Sequence, residues 1–433
     1  MKNSNKQKTA TMFEAQLRSH LRLLRGPSRY SESEEQSIMI PNYENSIAGI
    51  PNSIMKYFGV SPQGATLPQL DQMLEKEKYE NIVVLLLDGF GKSVIEANLK
   101  PDGFFRSHMS GTISACFPST TASGTASLRS GLQPCGHAHL GRRNYYEQLD
   151  KTIDVFSNTD VDGEPAANYD VANTLTLYRT VQNRLEETGK KAYVLSPFEF
   201  PYAPSFEAIC NAIGNLCEEP GDKFIFAYWP EPDSVIHRYG CTGKRTKQVL
   251  MDLEEQLEAV CKQQFDTLFI VTADHGFVDC RGVCIEDYPD IMECLERMPT
   301  TEARAMNLFV KDGMKAQFEE MFKRHFENDY LLLTKEEVLE RKLFGTDPEH
   351  ECFRSMLGDY LAVAVGHLAI YNTQDEAKQY VAHHGGLTKE EMEVPFITFD
   401  HQEDLKEFLK MFWGETKASQ AVIDIADERF NLK

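Results

Sequence analysis

Positive charge is scarce in this chain: 45 lysines and arginines face 66 aspartates and glutamates, a formal net charge of −21 over 433 residues. A field of that sign repels phosphate backbones and disfavours broad binding to duplex nucleic acid or anionic membranes. A small phosphate-bearing molecule stays compatible where bound divalent metal supplies local positive charge. Also missing is any apolar run near the roughly 20 residues a membrane helix needs, and the opening MKNSNKQKTATMFEAQLRSH lacks the apolar core of a signal peptide. Together these absences set the expectation of a cytoplasmic protein. Ten cysteines are too dilute for a disulfide scaffold, and no two CxxC pairs stand at zinc spacing. Cys280 and Cys284 form a lone CxxxC, so the thiols read as reduced. Gly/Ser linkers, internal repeats and low-complexity tracts are absent as well.

What is present is ordinary folded composition, 42% hydrophobic and 26% charged. The length suits one large α/β domain with an insertion, or two domains. Residues 1–75 read as a helical lead-in, with MFEAQLRSHLRLL at helical period. NIVVLLLDGFG, KFIFAYWPEPD and DTLFIVTADHG are continuous apolar runs stopped by Asp or Gly, the pattern of strands buried on both faces. TGKRTKQVLMDLEEQLEAVCKQQ between the last two is an amphipathic helix pattern. This layout predicts a mostly parallel α/β sheet with ligands at the strands' carboxyl ends. A core is expected over 76–284 and 381–433. Residues 285–380, richer in charge and Phe, read as an inserted cap. VPFITFD and a final helix would then return to the main sheet.

The chemistry-bearing residues stand at those strand ends. Asp88 ends one strand beside Gly89 and Gly91; a P-loop is excluded there because Leu86 occupies the position its first glycine needs. Asp274 and His275 end another, offering one oxygen and one nitrogen ligand, which suits zinc. Asp233 and His237 share one face if the segment after Pro232 is helical. His384, before Gly385 and Gly386, is free to point into a cleft, with His383 a supporting neighbour. His137 and His139 read as loop residues, and NTDVDG at 158–163 as a solvated turn, because Tyr169 stands where a calcium loop needs Glu. In FPSTTASGTASLRSG, residues 117–131, hydroxyls gather where a helix begins. They are helix caps, or one of them is a nucleophile beside amides that hold a phosphoryl group. Three Asp, three His and a hydroxyl cluster are roughly the inventory that two zinc-like ions about 3.5–4 Å apart require.

In their order, LLLDGFG, FPSTTASGTASLRSGLQPCGH, EPDSVIHRYG, TADHG and HHGG resemble the alkaline phosphatase superfamily, most closely its type I phosphodiesterase/nucleotide pyrophosphatase branch. The resemblance implies a three-layer sandwich, a mixed sheet between helices with an α+β cap inserted before the last His ligand. It also implies that the nucleophile is Thr121, three residues after Pro118 and ten before Gly131. One zinc would be held by Asp88, Thr121, Asp274 and His275, and the other by Asp233, His237 and His384. Manganese is the alternative metal. The phosphoryl group would pass to Thr121 and then to water. An Asn expected 21 residues after the nucleophile is here Arg142, with Asn144 two residues further on; either is a candidate for binding substrate. A charged donor suits a phosphomonoester dianion better than a neutral amide does. The expected activity is hydrolysis of a phosphodiester or nucleotide pyrophosphate. The alternatives are a phosphomonoesterase, phosphonate hydrolase or phosphosugar mutase, and, from another class, an inactive metal-binding protein.

Overall fold

The computed structural model describes residues 38–401. The helices expected in MFEAQLRSHLRLL and after VPFITFD lie outside the described residues. A six-stranded sheet forms the centre, from β1 (Asn81–Leu87), β2 (Met109–Ser114), β3 (Lys191–Leu195), β4 (Lys223–Trp229), β5 (Thr267–Thr272) and β6 (Glu393–Phe399), in the spatial order β2-β6-β5-β1-β4-β3. Strand β1 runs parallel to β4 and β5, and β3 parallel to β4, whereas β6 is antiparallel to β2 and β5. The sheet is therefore mixed, as the resemblance implied. All residues of β1 and β5 are buried, which is why these segments read as unbroken apolar runs.

Helices cover this sheet. The amphipathic pattern becomes the helix Lys244–Cys261, which buries Leu250, Leu253, Leu257 and Cys261 at helical spacing. It packs on the helix Phe206–Glu218. Part of the lead-in is also core: Ile47, Ile50 and Ile54 are fully buried around the helix Gly49–Tyr57. All ten cysteines are free thiols.

A second, seven-stranded sheet joins strands from 300–364 to three short strands, Arg143–Tyr146, Lys151–Asp154 and Thr159–Asp160. The cap bounded from sequence at 285–380 thus shares its sheet with an earlier stretch of chain. The link is a single pairing between Thr301 and Arg143, a long-range contact with no local signature. A separate hydrophobic cluster, including Phe318, Phe322 and Phe326 on the helix Lys315–Phe326, gives this lobe its own core.

Candidate active site

Three polar strand ends meet at one rim of the central sheet. Register pairs Leu87 with Trp229 and Leu86 with Thr272, so Asp88, Asp233 and Asp274 emerge side by side at the carboxyl ends. Gly89, at φ 70°, turns the chain sharply after Asp88; a Cβ there would sit 2.5 Å from the Phe277 ring. Asp233 opens the short helix α1 (Asp233–Tyr239) and His237 follows one turn later, with 3.5 Å between its Nε2 and Asp233 Oδ1. Thr121 is the first residue of a helix, Thr121–Ser130, hereafter the Thr121 helix. One turn on, Gly124 lets this helix lie flush against the sheet, since a Cβ would come within 2.5 Å of Asp274 Cβ.

The side chains form two triads. Ligand atoms of Asp88, Asp274 and His275 lie within 4.8 Å of one another, and so do those of Asp233, His237 and His384. Thr121 Oγ1 joins the first, at 3.3 Å from both Asp88 Oδ1 and His275 Nε2. The triads are adjacent: Asp233 Oδ1 lies 3.9 Å from His275 Nε2, and the His275 and His384 rings stack at 3.7 Å.

Tautomers follow from the neighbours. Nδ1 of His237, His275 and His384 lies 2.9, 3.0 and 3.0 Å from the carbonyl oxygens of Ala382, Gly276 and Ser119. A carbonyl only accepts, so each Nδ1 carries the proton and each Nε2 turns toward the carboxylates. In neutral imidazoles this aims lone pairs at anionic oxygens 3.3 to 3.6 Å away. Asp233 Oδ1 and Asp274 Oδ2 are moreover buried with no hydrogen-bond partner. A divalent cation in each triad would resolve both conflicts, and mixed carboxylate and imidazole donors fit zinc.

Titration behaviour shows the same frustration in the metal-free protein. Burial and the charge of Asp88 push Asp274 up to about 7 and raise Asp233 well above the carboxylate range. Burial drives His237 down to about 4, and burial with the nearby His275 depresses His384 further. Burial acts against His275 too, but Asp274 and Asp88 outweigh it and lift the imidazole to about 10.

Sequence reasoning missed three supporting residues. Tyr228 donates to Asp88 Oδ2 at 2.5 Å; its place opposite Leu86, at the end of β4, was the available signal. Ser119 Oγ donates to the Gly386 carbonyl and accepts from the Gly385 amide, fastening the His384 loop to the Thr121 helix. Glu302 accepts from the Thr120 hydroxyl at 2.7 Å, and nothing local in the sequence marks it.

The side chains of the two substrate-binding candidates point to partners outside this network, although the Arg142 backbone joins it at Glu302. Arg142 Nε donates to Asp154 at 2.6 Å and its backbone amide to Glu302 at 2.7 Å. Asn144 is buried and donates to the Gly141 carbonyl at 2.7 Å, with its Oδ1 unpartnered. Among the described residues neither bonds to Thr121 or to a triad. His137 is buried against Ser127, and His139 is bound to the Thr176 carbonyl. A cavity of about 240 Å³ opens beside Thr121, walled by Phe156, Tyr178, Phe198, Tyr228 and the Arg129–Glu199 ion pair.

Residues 82–386, well over half of the chain, match the family described as type I phosphodiesterase / nucleotide pyrophosphatase. The chain belongs to that family. It is accordingly a phosphodiesterase/pyrophosphatase-type hydrolase acting on phosphoric ester bonds, in the alkaline phosphatase superfamily. No curated protein matches it. Among solved structures it is similar to murine ectonucleotide pyrophosphatase/phosphodiesterase 5, an inactive threonine-to-alanine variant in complex with AMP. That likeness has a TM-score of 0.58 and 18% identity over 75% of this chain and 88% of that one. The human protein of the same name gives 0.57 and 17%, over 74% and 87%. Phosphonoacetate hydrolase from Sinorhizobium meliloti 1021, in complex with phosphonoformate, gives 0.56 and 15%, over 75% and 90%. At these identities the structural likenesses establish the fold. None of the described helices is long and apolar enough to cross a membrane.

Proposed function

We propose that this family member cleaves a phosphodiester or nucleotide pyrophosphate bond through a phospho-Thr121 intermediate, at a site built for two divalent cations, with zinc the best fit. One observation carries the reading: both Asp/His triads gather around the same rim, and the one hydroxyl that bonds to both Asp88 and His275 among the described residues is that of Thr121. Two cations, when bound, would lower the hydroxyl pKa and neutralise the phosphoryl oxygens.

The chain's own groups account for the remainder. Asp88 Oδ1 accepts the Thr121 O–H, and Tyr228 holds the other Asp88 oxygen. The first amides of the Thr121 helix face the same end and suit phosphoryl oxygens. Attack forms the bond from Thr121 Oγ1 to phosphorus and breaks the bond to the leaving group; water then attacks phosphorus and restores the hydroxyl. The cavity of about 240 Å³ beside Thr121 leaves room for an aromatic or nucleoside leaving group. Arg142, whose charge raised the monoester alternative, is paired with Asp154 and contributes less net charge than the sequence suggested.

The test is hydrolysis of a nitrophenyl phosphodiester and of the monoester, with and without chelator. Chelation abolishes turnover and zinc restores it, the diester is preferred, and Thr121→Ala is inactive. Wild-type turnover in Thr121→Ala would remove the nucleophile assignment.

A further inference from the structure

The N-terminus of the Thr121 helix differs from four Ser/Thr-headed helices of the same molecule and is like the one headed by Thr388, whose hydroxyl donates to Glu391. Thr180, Ser205, Thr334 and Thr373 occupy the position before a helix, and each side chain accepts from the amide three residues on, at Asn183, Ala208, Glu337 and Glu376. Thr120 holds the same position in the same extended conformation, φ −145° and ψ 154°, yet its hydroxyl caps nothing. It donates instead to Glu302 Oε1 at 2.7 Å.

We propose that Glu302 is a positioning residue: by holding the Thr120 hydroxyl as a donor, it keeps the first amides of the Thr121 helix uncapped for the phosphoryl oxygens of the substrate. This rests on the phosphoryl-transfer reading above. A hydroxyl freed from Glu302 would rotate and accept from those amides, as the hydroxyls of Thr180, Ser205, Thr334 and Thr373 do, and would compete with substrate.

The surroundings of Glu302 are built to hold it. Its Oε1 also accepts the backbone amide of Arg142 at 2.7 Å, so the carboxylate is fixed from two sides. Thr301, directly before it, has φ 80°, a left-handed conformation that β-branched residues avoid and that survives only where neighbours over-determine it. Gly385, next to His384, admits the side chain: a Cβ there would lie 3.2 Å from Glu302 Cβ. Thr121, the first residue of that helix, reaches Asp88 and His275, so this helix end borders the first triad.

The experiment compares Glu302→Ala, Glu302→Gln and the double variant Glu302→Ala/Thr120→Val in the zinc-loaded enzyme, reading kcat, KM, zinc per chain and inhibition by inorganic phosphate. Loss of one such donor is expected to lower kcat about a hundredfold to a thousandfold in Glu302→Ala, with weaker phosphate inhibition and unchanged zinc content. Glu302→Gln keeps an acceptor for Thr120 and recovers turnover. Removing the hydroxyl in the double variant recovers at least about tenfold over Glu302→Ala, because Val cannot cap. A double variant as slow as Glu302→Ala, or a Gln variant as slow as Ala, overturns the proposal. If Glu302→Ala does not fold, Glu302→Asp, one methylene short of Thr120, takes its place with the same expected outcome. An active Thr121→Ala enzyme would sink the underlying reading, whereas an inactive one beside a failed rescue would sink only this inference.

Discussion

The two triads share a rim but differ in how they are held. Asp88, Asp274 and His275 are all buried, at the ends of central strands β1 and β5. Asp233 and His237 are partly exposed on a seven-residue helix, and His384 comes from a loop. Only the first triad touches Thr121. The lesson is a division of labour: an enclosed half that holds Thr121, the proposed nucleophile, and a more accessible half that depends on the neighbouring lobe for its shape. The buried Arg304–Glu391 pair is part of that dependence, since Glu391 also receives the Gly386 amide at 2.8 Å, two residues from His384.

This contrast is best broken by substitution. Asp88→Asn is expected to cut kcat by at least about a thousandfold, because it strikes the partner of the proposed nucleophile. His384→Ala should cost less and leave one cation bound, by metal analysis of the dialysed protein. Equal losses in both variants would erase the distinction. Next in size, Arg304→Met leaves the Glu391 carboxylate buried and unpaired, at a cost of about 3–5 kcal/mol by denaturant unfolding. Stepwise chelation sharpens the comparison further: metal per chain should fall in two phases, the partly exposed triad emptying first, and a single phase would count against the asymmetry.

Stability should also respond to pH. In the metal-free protein His275 holds its proton more tightly when folded, with a value near 10 against about 6.5 unfolded. Its stabilising contribution is therefore complete below about 6.5 and is lost as pH rises through about 10. Asp274, raised to about 7, acts in the same direction at lower pH, while His237, lowered to about 4, opposes it there. Thermal melts of the metal-free protein should thus fall between pH 7 and 10. The metal-loaded protein should lack that slope, since its imidazoles stay neutral as ligands.

Much of this was legible in the chain. Central strands announced themselves as unbroken apolar runs ending in Asp, and all six expected triad residues converge with Thr121 because the parallel sheet delivers its carboxyl ends to one rim. Residues whose role depends on pairing across distant segments were not legible. Glu302 reaches Thr120 across 182 positions, and the Thr301–Arg143 pairing draws an early hairpin into the later lobe. Arg142 looked like an available cation, but Asp154, on the paired strand, claims its Nε.

Gly124 carries one more implication. With a single hydrogen facing Asp274, the Thr121 helix rests on the sheet as on a mechanical stop, and that seat fixes how far the Thr121 hydroxyl reaches. Adding one methyl at this point would jack the helix outward and draw the Thr121 hydroxyl back from Asp88 and His275 without deleting any triad side chain, a way to try the proposed nucleophile by distance alone.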